Sequence, residues 1–263
     1  GGRPHAETEA LTEAGELARG ATAYVTLEPC AHHGRTPPCA NALVNAGIAR
    51  VVGAASDPDP RVSGKGYAIL RAAGIEVVEK VLAAEASEQL AGYLIRSLKK
   101  RPEVILKLAL SSDGKIGVRG GGQVSITGEV ARREVHLMRA EADAILVGIG
   151  TALEDDPALT VRLPGLEKRS PARIVLDRQI RLPEGSKLVA GIDRVPLYIA
   201  ACEEADAGRR AALERAGVRF IGTETHEGGV ALPELLDDLA ALGMASVLVE
   251  GGAAVAKAFL ADD

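Results

Sequence analysis

The strongest constraint on this chain lies between His5 and Cys39. It opens His5-Ala6-Glu7 and closes Glu28-Pro29-Cys30-Ala31-His32-His33-Gly34-Arg35-Thr36-Pro37-Pro38-Cys39. One histidine and two cysteines supply three ligands of a tetrahedral zinc site whose fourth position stays open to water. To use them the chain must bring three separate segments to one point. Apolar Ala10, Leu11, Ala14, Leu17 and Ala18 recur at helical spacing, which predicts a helix from Ala6 to Arg19 with Gly20 as its stop. Ala21 to Leu27 has the pattern of a buried strand, and Cys30 follows in the loop at its end. Pro37 and Pro38 suit the opening of a second helix, Pro38 to Ala46, stopped by Gly47. Cys39 then falls in a first turn, where the helix dipole favours thiolate over thiol. Two helix starts meeting beyond one strand form the expected cradle.

Glu7 gives that cradle a chemistry. A carboxylate two residues from a ligand histidine, itself not a ligand, can move protons to and from a reacting base. Nucleobase deaminases carry this arrangement as H-x-E followed by P-C-x-x-C. Here eight residues separate the cysteines instead of two, so the match is a variant. A disulfide is disfavoured by a total of three cysteines and no visible secretory segment. A closed structural zinc, with His32 or His33 as fourth ligand, would leave Glu7 without a use. The basic run His32, His33 and Arg35 has two readings on sequence alone. It is either a solvated turn or a phosphate-recognition loop, since Arg pairs phosphate oxygens with two donors at once.

Downstream, strands and helices alternate, the pattern of an α/β layer fold. Strands are predicted at Arg50 to Ala55, Ile75 to Val78, Glu103 to Ser111, Asp143 to Gly148, Arg173 to Asp177, Val195 to Ala200, Val218 to Ile221, and from Ser246. Helices are predicted at Gly64 to Ala73, Ala83 to Lys99, Glu129 to Ala142 with Thr127 as N-cap, Ala207 to Ala216, Leu232 to Leu242, and from Ala253. The run Lys99-Lys100-Arg101 caps a helix C-terminus before Pro102, which divides the chain into domains at 1–101 and 102–263. Asp57-Pro58-Asp59-Pro60 is a loop at the carboxyl end of a strand, where ligands collect in open α/β sheets. Glu250-Gly251-Gly252 joins a strand to a helix. It is either a tight turn or an anion site at a helix start, and it is not the G-x-G-x-x-G dinucleotide fingerprint. Cys202 stands alone and is expected to be inert.

Net charge of −5 argues against a general nucleic-acid binder. Aromatic content of 2%, without tryptophan, leaves almost no platform for stacking bases. No apolar run reaches membrane-spanning length, so a cytoplasmic location is expected.

Taken in order, HAE, TLEPCxHxGRTPPC and DPxPxVxGxG (Asp57 to Gly66) are followed by LKxAxSxDGK, ITGExAR, VHxxRAExDAILVGxGT and DDPxLTVR. Over nearly all of its length the chain resembles the bifunctional riboflavin-biosynthesis deaminase–reductase family. The eight-residue cysteine gap distinguishes that family from cytidine and tRNA-adenosine deaminases. The resemblance implies a cytidine-deaminase-like N-terminal domain followed by a dihydrofolate-reductase-like C-terminal domain, with Zn2+ and NADPH as cofactors. It implies zinc-dependent deamination of 2,5-diamino-6-ribosylamino-4(3H)-pyrimidinone 5′-phosphate, then NADPH reduction of the ribosyl to a ribityl chain. The expected partner is thus a small phosphorylated pyrimidine, and the expected assembly a homo-oligomer.

Carried over by motif, His5, Cys30 and Cys39 hold the metal, Glu7 is catalytic, and His32 and Arg35 contact the deaminase substrate. In the second half, Gln123, Arg139, Leu159, Arg162 and Glu250 are the expected contacts to the reductase substrate. Lys107, Ala109, Ser125, Thr127, Thr151, Asp155, Gly251, Gly252, Ala253 and Ala254 are the expected contacts to the cofactor. Two departures stand out: Asp59 where the family usually has Asn, and Ser125 where it commonly has Trp. The family places a helix and two strands before HAE, and further strands after the last helix, so the chain is expected to lack part of each domain. Two alternatives remain on this reading: another nucleoside deaminase fused to a reductase, and a zinc-stabilised binding module without catalysis.

Overall fold

The computed structural model describes residues 5–33, 37–117, 124–226 and 228–261. The chain divides into two compact units, Gly1–Lys99 and Lys100–Asp263. Among the described residues no helix is long and apolar enough to cross a membrane.

The first unit contains α1 (Ala6–Ala14), β1 (Thr22–Leu27), α2 (Cys39–Asn45), β2 (Arg50–Ala55), α3 (Lys65–Ala72), β3 (Glu76–Val78), α4 (Ala83–Gln89) and α5 (Ala91–Lys99). Its three strands are parallel in the order β1-β2-β3. Thr22 lies opposite Arg50 and Leu27 opposite Ala55, so β1 and β2 end level. The loops after them, which carry Cys30 and Asp57, therefore leave the same carboxyl edge side by side. Ala40, Leu43, Val51, Tyr67 and Leu70 fill the core beneath. Gly53 makes room for Tyr67: a Cβ there would meet the phenol oxygen at 2.0 Å.

The second unit contains β4 (Glu103–Leu106), α6 (Glu129–Glu141), β5 (Ala144–Gly148), α7 (Ile149–Asp155), β6 (Ala172–Leu176), α8 (Lys187–Ala190), β7 (Leu197–Cys202), α9 (Ala207–Arg215), β8 (Arg219–Thr223), β9 (Thr225–His226), β10 (Gly229–Val230), α10 (Leu232–Ala241), β11 (Ser246–Val249) and α11 (Ala253–Ala261). Six parallel strands run β4-β11-β5-β6-β7-β8, and β9 with β10 forms a small antiparallel ribbon. Every residue of β5 and β7 is buried, as expected where helices cover both faces of a parallel sheet. Ile145, Val147, Val175 and Ile199 pack on one face, with Leu188 and Leu213. Leu146, Ile174, Ala200 and Val249 pack on the other, with Leu235 and Leu239. From β5 the chain steps outward through β6, β7 and β8, then returns to place β11 on the other side of β5. A reversal of this kind opens a crevice at the carboxyl ends of the two strands, the usual ligand site of open α/β sheets.

Several local expectations are corrected. The first helix ends at Ala14, because Gly15 adopts φ 52; a 3-10 turn, Gly15–Ala18, covers the remainder. The strand expected over Glu103 to Ser111 stops at Leu106, since its neighbour β11 ends at Val249, the partner of Leu106. The single helix expected over Ala83 to Lys99 breaks at Leu90 (φ −99, ψ 9), next to a turn weakened by Gly92. Thr127 is not the N-cap of α6: Gly128 occupies that position in extended geometry, and no side chain caps the helix. Glu129 in the first turn supplies the favourable charge instead. The α7 helix, across TALED, was not anticipated.

Candidate functional site

Each presumed metal ligand stands at the boundary of an element. His5 precedes α1 in extended geometry (φ −71, ψ 154), Cys30 follows β1, and Cys39 is the first residue of α2. His5 Nδ1 is 3.2 Å from Cys39 Sγ and 3.6 Å from Cys30 Sγ. All three ligand atoms lie within 4.8 Å of one another. Tetrahedral zinc with ordinary Zn–S and Zn–N bonds requires N···S edges of about 3.6 Å. The donor set therefore fits zinc in both chemistry and spacing. The three free cysteines, Cys30, Cys39 and Cys202, form no disulfide.

The cradle is held by a residue the motif contains but sequence reasoning did not single out. Glu28, 3% exposed, accepts the Gly64 N–H through Oε2 and the Gly66 N–H through Oε1, both at 3.1 Å. This ties the metal loop to the start of α3. Gly66 permits the approach, because a Cβ would lie 1.9 Å from the Pro29 carbonyl oxygen. The Cys39 N–H also donates to Cys30 Sγ at 3.2 Å.

Electrostatics here reverse one expectation. Burial, then the Glu7 carboxylate and Cys30, push the Cys39 thiol well above its ordinary range. The dipole of a seven-residue helix does not outweigh complete burial beside a carboxylate. A divalent cation supplies the positive charge that turns such a thiol into a thiolate.

Around the cradle, His32 presents a buried Nδ1 with no hydrogen-bond partner among the described residues. Arg35 lies outside the described residues. Asp57, 5% exposed, accepts the Tyr93 hydroxyl on both carboxylate oxygens at 3.0 Å, and the Asp59 N–H at 2.9 Å. Burial and the Asp57 charge push the Tyr93 phenol up to about 12. The departure at Asp59 brings its own counterion. Arg61 pairs with it at 2.5 Å, and that hydrogen bonding holds the carboxyl down at about 2.

In the second unit, Glu250 follows β11 and receives Arg139 of α6 as a fork: Nε to Oε1 at 2.7 Å and Nη2 to Oε2 at 2.9 Å. Both side chains are about nine-tenths buried, at 11% and 10% exposure. Arg139 Nη1 donates to the Thr160 carbonyl at 3.2 Å, and Lys107 Nζ stands 3.9 Å from Glu250. The Arg139 fork is thus engaged by the protein itself. Arg162 is exposed and has no carboxylate partner among the described residues. One turn before Arg139, His136 accepts the Arg162 N–H on Nδ1 at 3.4 Å. His136 was not among the expected site residues, although its i, i+3 spacing from Arg139 was readable on the helix.

The glycine junction lies beside this group. A Cβ on Gly251 would meet Val255 at 2.5 Å, and one on Gly252 would stand 3.8 Å from Thr151 Oγ1. Ala253 and Ala254 begin α11 and are exposed, so their N–H groups can face a ligand. Leu159 is buried at φ 52, and Asp156 lies at φ 40, both left-handed for non-glycine residues. Asp155 ends α7, its carboxyl raised by burial and by Glu154. Ala109 lies beyond β4, and Ser125 accepts a hydrogen bond from Arg132 at 3.0 Å. Among the described residues no hydrogen bond joins Ser125 or Thr127 to the Arg139–Glu250 group. Gln123 lies outside the described residues.

The profile of the cytidine and deoxycytidylate deaminase zinc-binding region matches residues 2–55, and that of the RibD C-terminal domain matches residues 102–263. The riboflavin biosynthesis protein RibD of Aquifex aeolicus is 41% identical over 259 residues, covering 98% of this chain and 70% of the relative. The chain belongs to the RibD family. The Escherichia coli RibD protein is 42% identical over 270 residues, covering 98% of this chain and 72% of the relative. The structure of Acinetobacter baumannii RibD superposes with a TM-score of 0.86 at 40% identity, covering 99% of this chain and 71% of that one. A Thermotoga maritima structure described as a diaminohydroxyphosphoribosylaminopyrimidine deaminase and 5-amino-6-(5-phosphoribosylamino)uracil reductase superposes at 0.79 with 36% identity, covering 95% and 68%. Like these relatives, the chain combines a zinc-binding deaminase domain with a RibD reductase domain.

Proposed function

We propose that the chain performs two consecutive steps of riboflavin biosynthesis, with deamination in residues 1–101 and reduction in residues 102–263. The carrying observation is the convergence of His5, Cys30 and Cys39, with Glu7 close enough to raise the Cys39 thiol. His5, Cys30 and Cys39 would hold a zinc ion, which would acidify a bound water toward neutrality. Glu7 accepts the proton released as the water oxygen adds to the amine-bearing pyrimidine carbon, and delivers protons to the departing ammonia. His32, through its buried Nδ1, and Arg35 receive the substrate, 2,5-diamino-6-ribosylamino-4(3H)-pyrimidinone 5′-phosphate.

In the reductase half NADPH supplies hydride to the ribose C1′. The N–H groups of Gly251, Gly252, Ala253 and Ala254 at the start of α11 receive its phosphates, with Thr151 beside them. Lys107, Ala109, Ser125, Thr127 and Asp155 complete the cofactor side. On the substrate side, Arg162 offers an exposed guanidinium and Arg139 fixes the carboxylate of Glu250, while Gln123 and Leu159 line the remainder. The same reading makes the chain a cytoplasmic homo-oligomer, whose size light scattering tests.

A coupled assay on zinc-loaded protein tests both steps. Ammonia is expected from the diaminopyrimidine ribotide without NADPH, and NADPH oxidation only after deamination. Failure of both, with zinc measured in place, would overturn the reading in favour of a non-catalytic module.

A further inference from the structure

The segment Asp156 to Arg162 belongs to no strand, yet it carries Arg162. Two of its residues, Asp156 and Leu159, are left-handed, a conformation that the surroundings must hold in place. Its last three residues are held by side chains instead of a sheet ladder. The Thr160 carbonyl accepts from Arg139 Nη1 at 3.2 Å, the Val161 N–H donates to Ser170 Oγ at 3.0 Å, and the Arg162 N–H donates to His136 Nδ1 at 3.4 Å. Two of these three holders, His136 and Arg139, come from one face of α6. The charged groups that face His136 are Arg139 on its own helix, Arg162 on the held segment, and Glu250 at the end of β11. Burial and the two guanidiniums, in that order, outweigh Glu250 and a contact to the Thr160 backbone, and press the ring's pKa below the ordinary histidine value. The ring is therefore neutral near neutral pH and keeps a lone pair to offer.

We propose that His136 is a positioning residue for the reductase substrate: its imidazole fixes the Arg162 backbone through Nδ1, so that the Arg162 guanidinium meets the substrate phosphate already oriented. This rests on the reductase reading above. The role belongs to one atom. An asparagine places an acceptor oxygen where Nδ1 stands, a glutamine places it one bond farther out, and a leucine removes it.

The test uses the full chain with 5-amino-6-(5-phosphoribosylamino)uracil as probe. Its Kd is measured by calorimetry without NADPH, and KM and kcat are measured with NADPH. Deamination by each protein serves as the control for folding. His136→Leu is expected to raise Kd and KM roughly tenfold, as loss of one backbone hydrogen bond implies, with kcat little changed. His136→Asn should restore both, and His136→Gln should not. A Leu variant that binds like the wild type would overturn the proposal, as would an Asn variant as weak as Leu. Wild-type protein that fails to bind this ribotide would instead remove the reductase reading itself.

Discussion

The two sites solve the problem of charge in opposite ways. In the zinc cradle two sulfurs and an imidazole converge beside a carboxylate, and burial with Glu7 raises the Cys39 thiol. In the reductase half the carboxylate is paired within the protein: Glu250 carries Arg139 as a fork and Lys107 at 3.9 Å. The first site is assembled from 35 consecutive residues, His5 to Cys39, placed at the boundaries of α1, β1 and α2. The second joins partners 111 residues apart, delivered by the topology of a parallel sheet. The first site is built from groups that ligate a cation; the second holds its carboxylate through the protein's own cations.

This contrast can be broken most sharply at Cys39. Cys39→Ser is expected to abolish zinc binding and reduce deamination to background, while reduction of separately supplied deaminated ribotide continues. Zinc analysis with the two half-reactions measures this, and simultaneous loss of both activities would show that the sites are not energetically separable. Glu7→Gln should keep zinc and lower the deamination kcat by about 10²–10⁴, the usual contribution of a general acid–base group. Normal turnover would remove Glu7 from the mechanism.

The internally paired site should fail through stability as well as activity. Arg139→Leu leaves Glu250 buried without its fork, an expected loss of about 3–5 kcal/mol in denaturant unfolding. The double change Arg139→Met with Glu250→Leu should recover most of that stability and none of the reductase activity. The smallest effect is expected at Asp59. Its folded pKa is depressed to about 2, so the stabilisation it brings is present above its unfolded pKa and is lost as pH falls through about 2. Arg61→Gln should move the Asp59 titration upward by NMR and change stability little, because Arg61 is largely exposed.

The cradle was legible because ligand identity, spacing and helix punctuation all fall within one short stretch. The α/β alternation, the edges of β2 and the metal-ligand positions follow from local rules alone. Glu28 was harder to assign: its two hydrogen bonds run to Gly64 and Gly66, and neither partner advertises itself as an acceptor's target. The reductase arrangement resisted for a related reason. Arg139 has the appearance of a free substrate anchor until the sheet brings Glu250 to it, and His136 gains meaning only when Arg162 arrives from an irregular segment. The premature end of β4 could not be read from Glu103 to Ser111, because the length of its neighbour sets it.

The place of β11 has a consequence for how the protein is made. The first unit pairs β1, β2 and β3 in the order in which they leave the ribosome. The second inserts β11 between β4 and β5, pairing Ser246–Val249 with Glu103–Leu106 on one side and with Ala144–Leu146 on the other. Among the described strands, β4 has no neighbour and the inner edge of β5 stays open until residue 249 has been synthesised. Long-range parallel pairing of this kind is slow and exposes apolar edges while it waits. Protease resistance of stalled chains is thus expected to appear first around the β1-β2-β3 sheet, and in the β4-to-β8 sheet only after β11 emerges.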